Sequence, residues 1–491
     1  MISARILPSL LPSLLERSPL AVPLWVANRP YGTPLLWGCV GREASTFIGA
    51  LPSMELRKVL SAVALAGATL SAGSSGGKRG HAADAAAVID AADAGRHVAA
   101  LADDAFEGRE GGSRGGRAAG AYIVEALRAA GIEPAGDDGT YFQRFGAMRN
   151  ILALVPGSDP ACERELVVVG AHYDHVGYGT AANSYGPTGL IHNGADDNAS
   201  GVAGVLEIAQ VLGSMPVKPR RPILVAFWDG EEKGLLGSWH FLRVRPKPLR
   251  DQRPVFAVNL DMIGRLRGER VEVYGARTMT GLRRMLVEAN RETGLELVID
   301  WDIADDSDHF PFIESRVATV MLHTGLHDEY HRPSDDVQLV DTAGIERVAR
   351  LALEVVTTVA DAPAALPPFR DASRREKNAH RDALERVLPL PPGSPRGRWG
   401  MSTRADAGDP QAPVVVRVVP DSPLDQAGLH CGDRILAIDG EPVGNQETML
   451  RRMAAAGEAP ALEVDRAGRR IALQIVGGGA PSAAAEPGPA R

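Results

Sequence analysis

The chain has 491 residues, too many for one compact hydrophobic core, so two or three folded units are expected. Its 45% hydrophobic and 23% charged residues are ordinary for a globular protein, and a formal charge of −8 without a basic stripe argues against nucleic acid as a partner. Three cysteines, Cys39, Cys162 and Cys431, lie far apart with no Cys-x-x-Cys pair, which argues against a disulfide framework or a thiolate zinc knot.

Residues 1–53 are rich in Pro and Leu without a steady period and read as a disordered or mis-called N-terminal extension. From Met54 the sequence MELRKVLSAVALAGATLSAGSSGG has a charged start, an apolar run and a small-residue exit. That is the build of a secretory signal peptide, so 54–82 is assigned to a signal peptide and flexible linker, and a periplasmic or extracellular location is expected. The apolar run is shorter than the roughly 20 residues of a membrane span, so no stable span is expected.

A catalytic unit is expected over 83–362. The spacing of Tyr122, Ala126 and Ala130, and of Ile123 and Leu127, predicts a helix over 118–130 that Gly131 stops. Strands are then predicted at 151–155, 166–171, 223–228, 255–261 and 317–322. Helices are predicted at 202–212, 235–244, 279–293 and 345–359. Near-continuous apolar strands between helices imply an α/β fold with a mixed, mostly parallel central sheet covered on both faces, where ligands gather at the carboxyl ends of strands. Residues 363–395, rich in Pro, Arg and Ala, read as a linker with at most one short helix. A small β-rich unit is expected over 396–478, with strands at 414–419, near Leu462 and at 471–476 and a helix around 447–455. Residues 479–491 read as a disordered tail.

The chemistry is concentrated in five segments. The strand ending at Ala171 runs into His172-Tyr173-Asp174, where Asp174 can steady the imidazole of His172. Asn193-Gly194-Ala195-Asp196-Asp197-Asn198-Ala199-Ser200-Gly201 precedes a helix, and its small residues let backbone crowd a bridging carboxylate. Trp228-Asp229-Gly230-Glu231-Glu232 follows a strand, Asn259-Leu260-Asp261-Met262 ends another, and Tyr330-His331-Arg332-Pro333-Ser334-Asp335 closes the set. Two histidines and three carboxylates result: His172, Asp197, Glu232, Asp261 and His331. With Asp197 shared they make two N/O sites suited to Zn2+, with Co2+ or Mn2+ as substitutes. Two such ions hold a water between them and lower its pKa, leaving Glu231 as the general base.

Residues 95–360 resemble the co-catalytic zinc peptidases of the bacterial leucyl aminopeptidase type, a superfamily with glutamate carboxypeptidases and glutaminyl cyclases, because all five segments occur in the family order. The resemblance implies one metal on His172, Asp197 and Asp261 and a second on Asp197, Glu232 and His331. It places Glu231 on the catalytic glutamate, Asp174 behind the first histidine, Tyr330 at an oxyanion-stabilising tyrosine, and a cis peptide at Asp197-Asn198. Asp306-Ser307-Asp308-His309-Phe310-Pro311-Phe312 matches a family segment beside the active site, read as pocket wall or as support behind the ligands rather than as a metal ligand. His175, His192, His323 and His327 are left over, with His192 and His327 singled out as lying close to proposed ligands in sequence. The C-terminal unit, with Ser422-Pro423, Ala427-Gly428-Leu429, Gly432-Asp433-Arg434-Ile435 and Asp439-Gly440, resembles a PDZ domain of bacterial periplasmic proteases. There Trp399-Gly400-Met401-Ser402 would supply the loop that captures a peptide C-terminus.

The expected function is zinc-dependent removal of N-terminal residues from peptides by a metal-bridged hydroxide. Three readings stay open beside it. Glutaminyl cyclase-type acyl transfer is disfavoured by Tyr330 where the cyclases carry Trp and by the string Asp197–Gly201. A carboxypeptidase or dipeptidase needs basic pocket residues, which sequence cannot place. A non-catalytic peptide-binding protein using the PDZ unit is disfavoured by the full ligand set.

Overall fold

A computed structural model describes residues 89–363, 365–391 and 397–476. The N-terminal extension, the signal peptide and the tail from 479 lie outside the described residues.

In chain order the larger unit runs α1 (Ala91–Leu101), α2 (Arg114–Ala129), β1 (Glu133–Pro134), β2 (Phe142–Phe145), β3 (Met148–Val155), β4 (Glu165–His172), α3 (Gly201–Ser214), β5 (Ile223–Trp228), α4 (Leu236–Arg243), β6 (Arg253–Leu260), β7 (Arg270–Tyr274), α5 (Leu282–Ala289), β8 (Glu296–Ile299), α6 (His309–Glu314), β9 (Ala318–His323) and α7 (Thr342–Asp361). Among the described residues its sheet has nine strands in the order β1-β3-β5-β4-β6-β9-β7-β8, with β2 on β3. The central strands β5, β4, β6 and β9 are mutually parallel, and antiparallel pairs flank them at β3 and β7. The mixed sheet expected from the sequence is therefore present, with its parallel part at the centre.

Alternation along the strands covers both faces. Val167, Val169 and Ala171 of β4 and Ile223, Val225 and Phe227 of β5 join one core with residues of α1, α2, α3 and α7. Leu166, Val168, Leu224, Ala226 and Trp228 point the other way, against Phe241 of α4 and Phe312 of α6. A parallel strand buried on both sides must be apolar at every position, which is why these strands read as continuous runs.

The helix predicted over 279–293 is shortened to α5. Gly281 adopts φ 81° at its start, and at its end Asn290 Oδ1 accepts from Leu295 N and from the Thr293 hydroxyl. A side chain that bonds backbone in this way offers a turn in place of the next helical turn. Helix α1 and strands β7 and β8 were not predicted.

The smaller unit contains β10 (Met401–Arg404), β11 (Val414–Val418), α9 (Pro423–Gln426), β12 (Arg434–Ile438), β13 (Glu441–Pro442), α10 (Gln446–Ala455), β14 (Ala461–Arg466) and β15 (Arg469–Gln474), preceded by α8 (Asn378–Glu385) in the connecting segment. Its sheet is antiparallel, ordered β10-β11-β12-β14-β15, and closes over Trp399, Val415, Leu424, Ile435, Met449 and Leu462. Trp399 donates its indole N–H to Met453 O, and the Gln446 amide reaches Thr403 O on the edge strand β10.

The described part of the connecting segment, 365–391, is tied to both units by ion pairs. Arg277, in the turn after β7, forks onto Glu376 of that segment and onto Asp406 of the smaller unit, at 2.6–3.0 Å. Arg434 bonds Asp406 and Glu385, Arg370 bonds Glu376, and Asn378 bonds Asp300 and Asp302. The Arg277 guanidinium also lies 3.6 Å from the centroid of the Trp301 ring. The two units and the strap between them are thus joined by a largely buried ionic cluster, and by an apolar contact among Val287, Ala412 and Leu436.

Candidate metal centre

Four of the five predicted segments sit at or just beyond central strand ends or, for Asp197, in the turn before α3. His172 ends β4, Glu231 and Glu232 follow β5, and Asp261 follows β6. His331 differs: it lies on the loop between β9 and α7, eight residues past the strand, and is brought back at φ 51°.

All five predicted ligands meet around Asp197. His172 Nε2 lies 3.4 Å from Asp197 Oδ1 and 3.4 Å from Asp261 Oδ1. On the other side His331 Nε2 lies 3.1 Å from Asp197 Oδ2 and 3.2 Å from Glu232 Oε2. The two oxygens of Asp197 therefore face two different sets of donors. Tetrahedral zinc with bonds of about 2.0–2.2 Å places neighbouring ligand atoms about 3.3–3.6 Å apart, since a tetrahedron's edge is about 1.63 times its centre-to-vertex length. The two spacings of 3.4 Å fall within that range and those of 3.1 and 3.2 Å just below it, and imidazole plus carboxylate with no thiolate is a zinc-type donor set.

The backbone under Asp197 is held rigidly. The Asp197-Asn198 peptide is cis, as the resemblance implied. Asp335 accepts from the N–H groups of Asp196 and Asp197, and Asn198 Oδ1 accepts from Gly201 N and Met262 N. A Cβ on Gly201 would stand 2.5 Å from Leu260 O, so only glycine lets α3 start this close to the end of β6.

Asp174 acts through different atoms than the sequence suggested. Its backbone carbonyl, not its carboxylate, meets His172 Nδ1 at 3.1 Å, while Oδ1 lies 3.9 Å away and accepts from Glu231 N at 3.0 Å. The carbonyl fixes the tautomer that turns Nε2 inward, and the carboxylate positions Glu231. His331 is set in the same way by Asn183 O on Nδ1, at 3.0 Å.

Two residues that the sequence analysis did not select are central. His175 Nδ1 lies 2.8 Å from Glu232 Oε1, the oxygen turned away from His331. Arg109 is buried and donates from Nε to Tyr173 O, from Nη1 to Leu101 O and Asn193 O, and from Nη2 to Gly194 O. Neither has a motif signal: His175 is three residues past a ligand, and Arg109 lies more than sixty residues before the first. His327 reaches Asp196 Oδ2 at 3.1 Å, and His192 bonds Ser184 and Leu190; the partners of both lie beside the ligands. Ser307 donates to Asp261 Oδ2, which makes the predicted pocket-wall segment a support for that ligand as well.

The buried charges shift one another. Burial pushes Glu231 well above the usual carboxylate range, with Glu232, Asp308 and Asp261 adding to the rise against the pull of His172. Burial opposes charge on His331, but hydrogen bonds to Asp197 and Glu232 outweigh it and push the imidazole up to about 10. A bound cation would replace that proton, so loading releases protons. Burial and the surrounding carboxylates raise the Tyr330 phenol, which keeps it a hydrogen-bond donor. These groups open into a cavity of about 480 Å³.

Residues 150–356 match peptidase family M28, and residues 414–466 match the PDZ domain. The chain is 29% identical over 202 residues to aminopeptidase YwaD of Bacillus subtilis strain 168, covering 39% of this chain and 40% of the relative. It is 30% identical over 227 residues to a probable leucine aminopeptidase of Trichophyton verrucosum, covering 42% and 56%. The matches thus span about half or less of these relatives' lengths. Among solved structures, the LapA aminopeptidase of Legionella pneumophila aligns with a TM-score of 0.49 at 17% identity, covering 60% of this chain and 78% of that one. The chain carries a peptidase family M28 domain followed by a PDZ domain.

Proposed function

We propose that the chain is an aminopeptidase that binds two zinc ions and hydrolyses the first peptide bond of substrates with a free N-terminus. The carrying observation is Asp197, whose Oδ1 faces His172 while its Oδ2 faces His331, which in turn lies 3.2 Å from Glu232. His172, Asp197 and Asp261 would hold one ion, and Asp197, Glu232 and His331 the other. When bound, the pair supplies a water of lowered pKa and polarises the scissile carbonyl. Glu231, held by its N–H on Asp174, takes the proton of the attacking water and returns it to the leaving amine. Tyr330 donates its hydroxyl proton toward the carbonyl oxygen as negative charge develops there. His175 keeps Glu232 turned toward His331. The aminopeptidase names of the relatives and the M28 match support this reading. The N-terminal pattern from Met54 supports export, and the PDZ domain fits recognition of a peptide C-terminus. Among the described residues no helix is long and apolar enough to cross a membrane.

The test is hydrolysis of aminoacyl-p-nitroanilides beside their N-acetylated forms, with and without chelator. Free-amine substrates alone should be cleaved, with loss on chelation and a fall of about 10²–10⁴ in kcat for Glu231→Gln. Cleavage of the acetylated forms at equal rates, or activity retained in Glu231→Gln, would sink the reading.

A further inference from the structure

The sheet register decides what faces the cavity beyond the metal centre. Strands β7 and β9 are antiparallel, with Glu272 opposite His323 and Tyr274 opposite Met321. Side chains alternate along strands, so these four share one face while Val271, Val273, Val320 and Leu322 point into the core. All four line the cavity. Once the groups committed to metal and proton transfer are set aside, its wall is built from Met262 and Met321, both buried, and from the rings of Tyr185 and Tyr274. The carboxyl groups left on that wall belong to Glu272 and Asp306, and the lining contains no Lys or Arg.

Glu272 is fixed, and among the described residues it has no Lys or Arg in ion-pair contact, with the Arg267 guanidinium standing near it across Gly325. The Tyr274 hydroxyl donates to Oε2 at 2.8 Å. His323 Nδ1 stands 3.9 Å away but accepts the Gly325 N–H at 2.7 Å, so that nitrogen carries no proton to give to Glu272. Arg267 spends Nη2 on the carbonyls of Thr324, Gly325 and Leu326. Among the described residues no Lys or Arg lies within ion-pair distance of Glu272 or Asp306; their ion-pair neighbours are His323 and His309, each at 3.9 Å. An apolar wall ending in an oriented carboxylate, with a second one more exposed beside it, matches a side chain with a long apolar stem and a cationic head.

We infer that this cavity selects substrates whose N-terminal residue is lysine or arginine, with Glu272 as the residue that binds the cationic head and Asp306 as its partner at the rim. This rests on the aminopeptidase reading above. The methylenes lie along Met262 and Met321, and the ammonium or guanidinium meets Glu272. Glu272 is 36% exposed, so solvent screens the pair and each carboxylate contributes modestly.

The experiment compares kcat/KM for Arg-, Lys-, Leu- and Met-p-nitroanilide with the full chain and with Glu272→Gln, Asp306→Asn and Glu272→Lys. The expected result is Arg and Lys above Leu and Met in the wild type. Glu272→Gln should lower Arg and Lys by about tenfold with Leu within about twofold, Asp306→Asn should act more weakly, and Glu272→Lys should invert the preference. The loss should rise in KM and shrink with salt. Wild-type preference for Leu or Met, or equal losses for all four substrates in Glu272→Gln, overturns the inference and leaves the aminopeptidase reading standing. Failure of every free-amine substrate would instead count against that reading.

Discussion

Replacing Arg277 by Ala probes the join between the two units. The side chain is 11% exposed, and Asp406, which it grips through two nitrogens, is 2% exposed. Removing one partner of such a pair leaves a buried charge, which costs about 3–5 kcal/mol. Asp406 keeps Arg434 at 2.9 Å, which moves the expectation to the lower end, and loss of the Trp301 contact adds about 0.5–1 kcal/mol. A total of about 3.5 kcal/mol follows. If both units melt together, roughly 380 ordered residues at about 2.1 cal/mol/K each give an unfolding entropy near 0.8 kcal/mol/K, so Tm should fall by about 4 °C. If the clamp is what couples them, the wild type should melt in a single calorimetric peak and the variant in two, with the PDZ unit melting first. Arg277→Lys, which keeps the charge but not the double fork, should fall between. A Tm for Arg277→Ala within about 1 °C of the wild type, with one peak, would refute the argument that these buried pairs hold the units together.

Three further outcomes follow from the same geometry. His175→Ala should leave the fold intact but weaken retention of the metal beside Glu232 by about 10–100-fold, read as zinc content after dialysis against graded chelator; unchanged retention would show that His175 does not set Glu232. Arg109→Lys keeps a charge but cannot span the carbonyls of Leu101, Tyr173, Asn193 and Gly194, and leaving one or two of them unpaired should cost about 2–5 kcal/mol in denaturant unfolding. Acid should act on the clamp: burial works against ionised Glu376, yet hydrogen bonds from Arg277 and Arg370 hold it down at about 2, and Asp406 is lowered in the same way. Their contribution is fully present above the ordinary carboxylate range near pH 4 and is lost as pH falls toward 2, so wild type should lose more stability across that window than Arg277→Ala.

How much was legible in the sequence depended on whether the signal was local. Ligand types announce themselves at strand ends, and the apolar runs of β4, β5 and β6 announce a sheet covered twice. The helix predicted over 279–293 was over-long because periodicity cannot see Asn290 folding back on Leu295. The connecting segment looked like a linker because its order comes from charges more than ninety residues away at Arg277. Asp174 was selected for its carboxylate, whereas its carbonyl holds His172, a choice of atom that residue identity cannot express.

By itself, then, the sequence determined the side chains available: two imidazoles, three carboxylates and a further glutamate, at or near the ends of apolar strands and on the loops beyond them, followed by a separate small β unit. The tertiary structure decided how that chemistry is shared. Asp197 can face two donor sets because Asp335, far along the chain, binds its N–H, and the neighbouring Asn198 is bound to Met262 just past β6. Glu272 faces the cavity because β7 pairs antiparallel with β9 in a register that puts it opposite His323. These are relations between segments far apart in the chain. They are set by packing and hydrogen-bond registry, to which no single stretch of residues commits in advance.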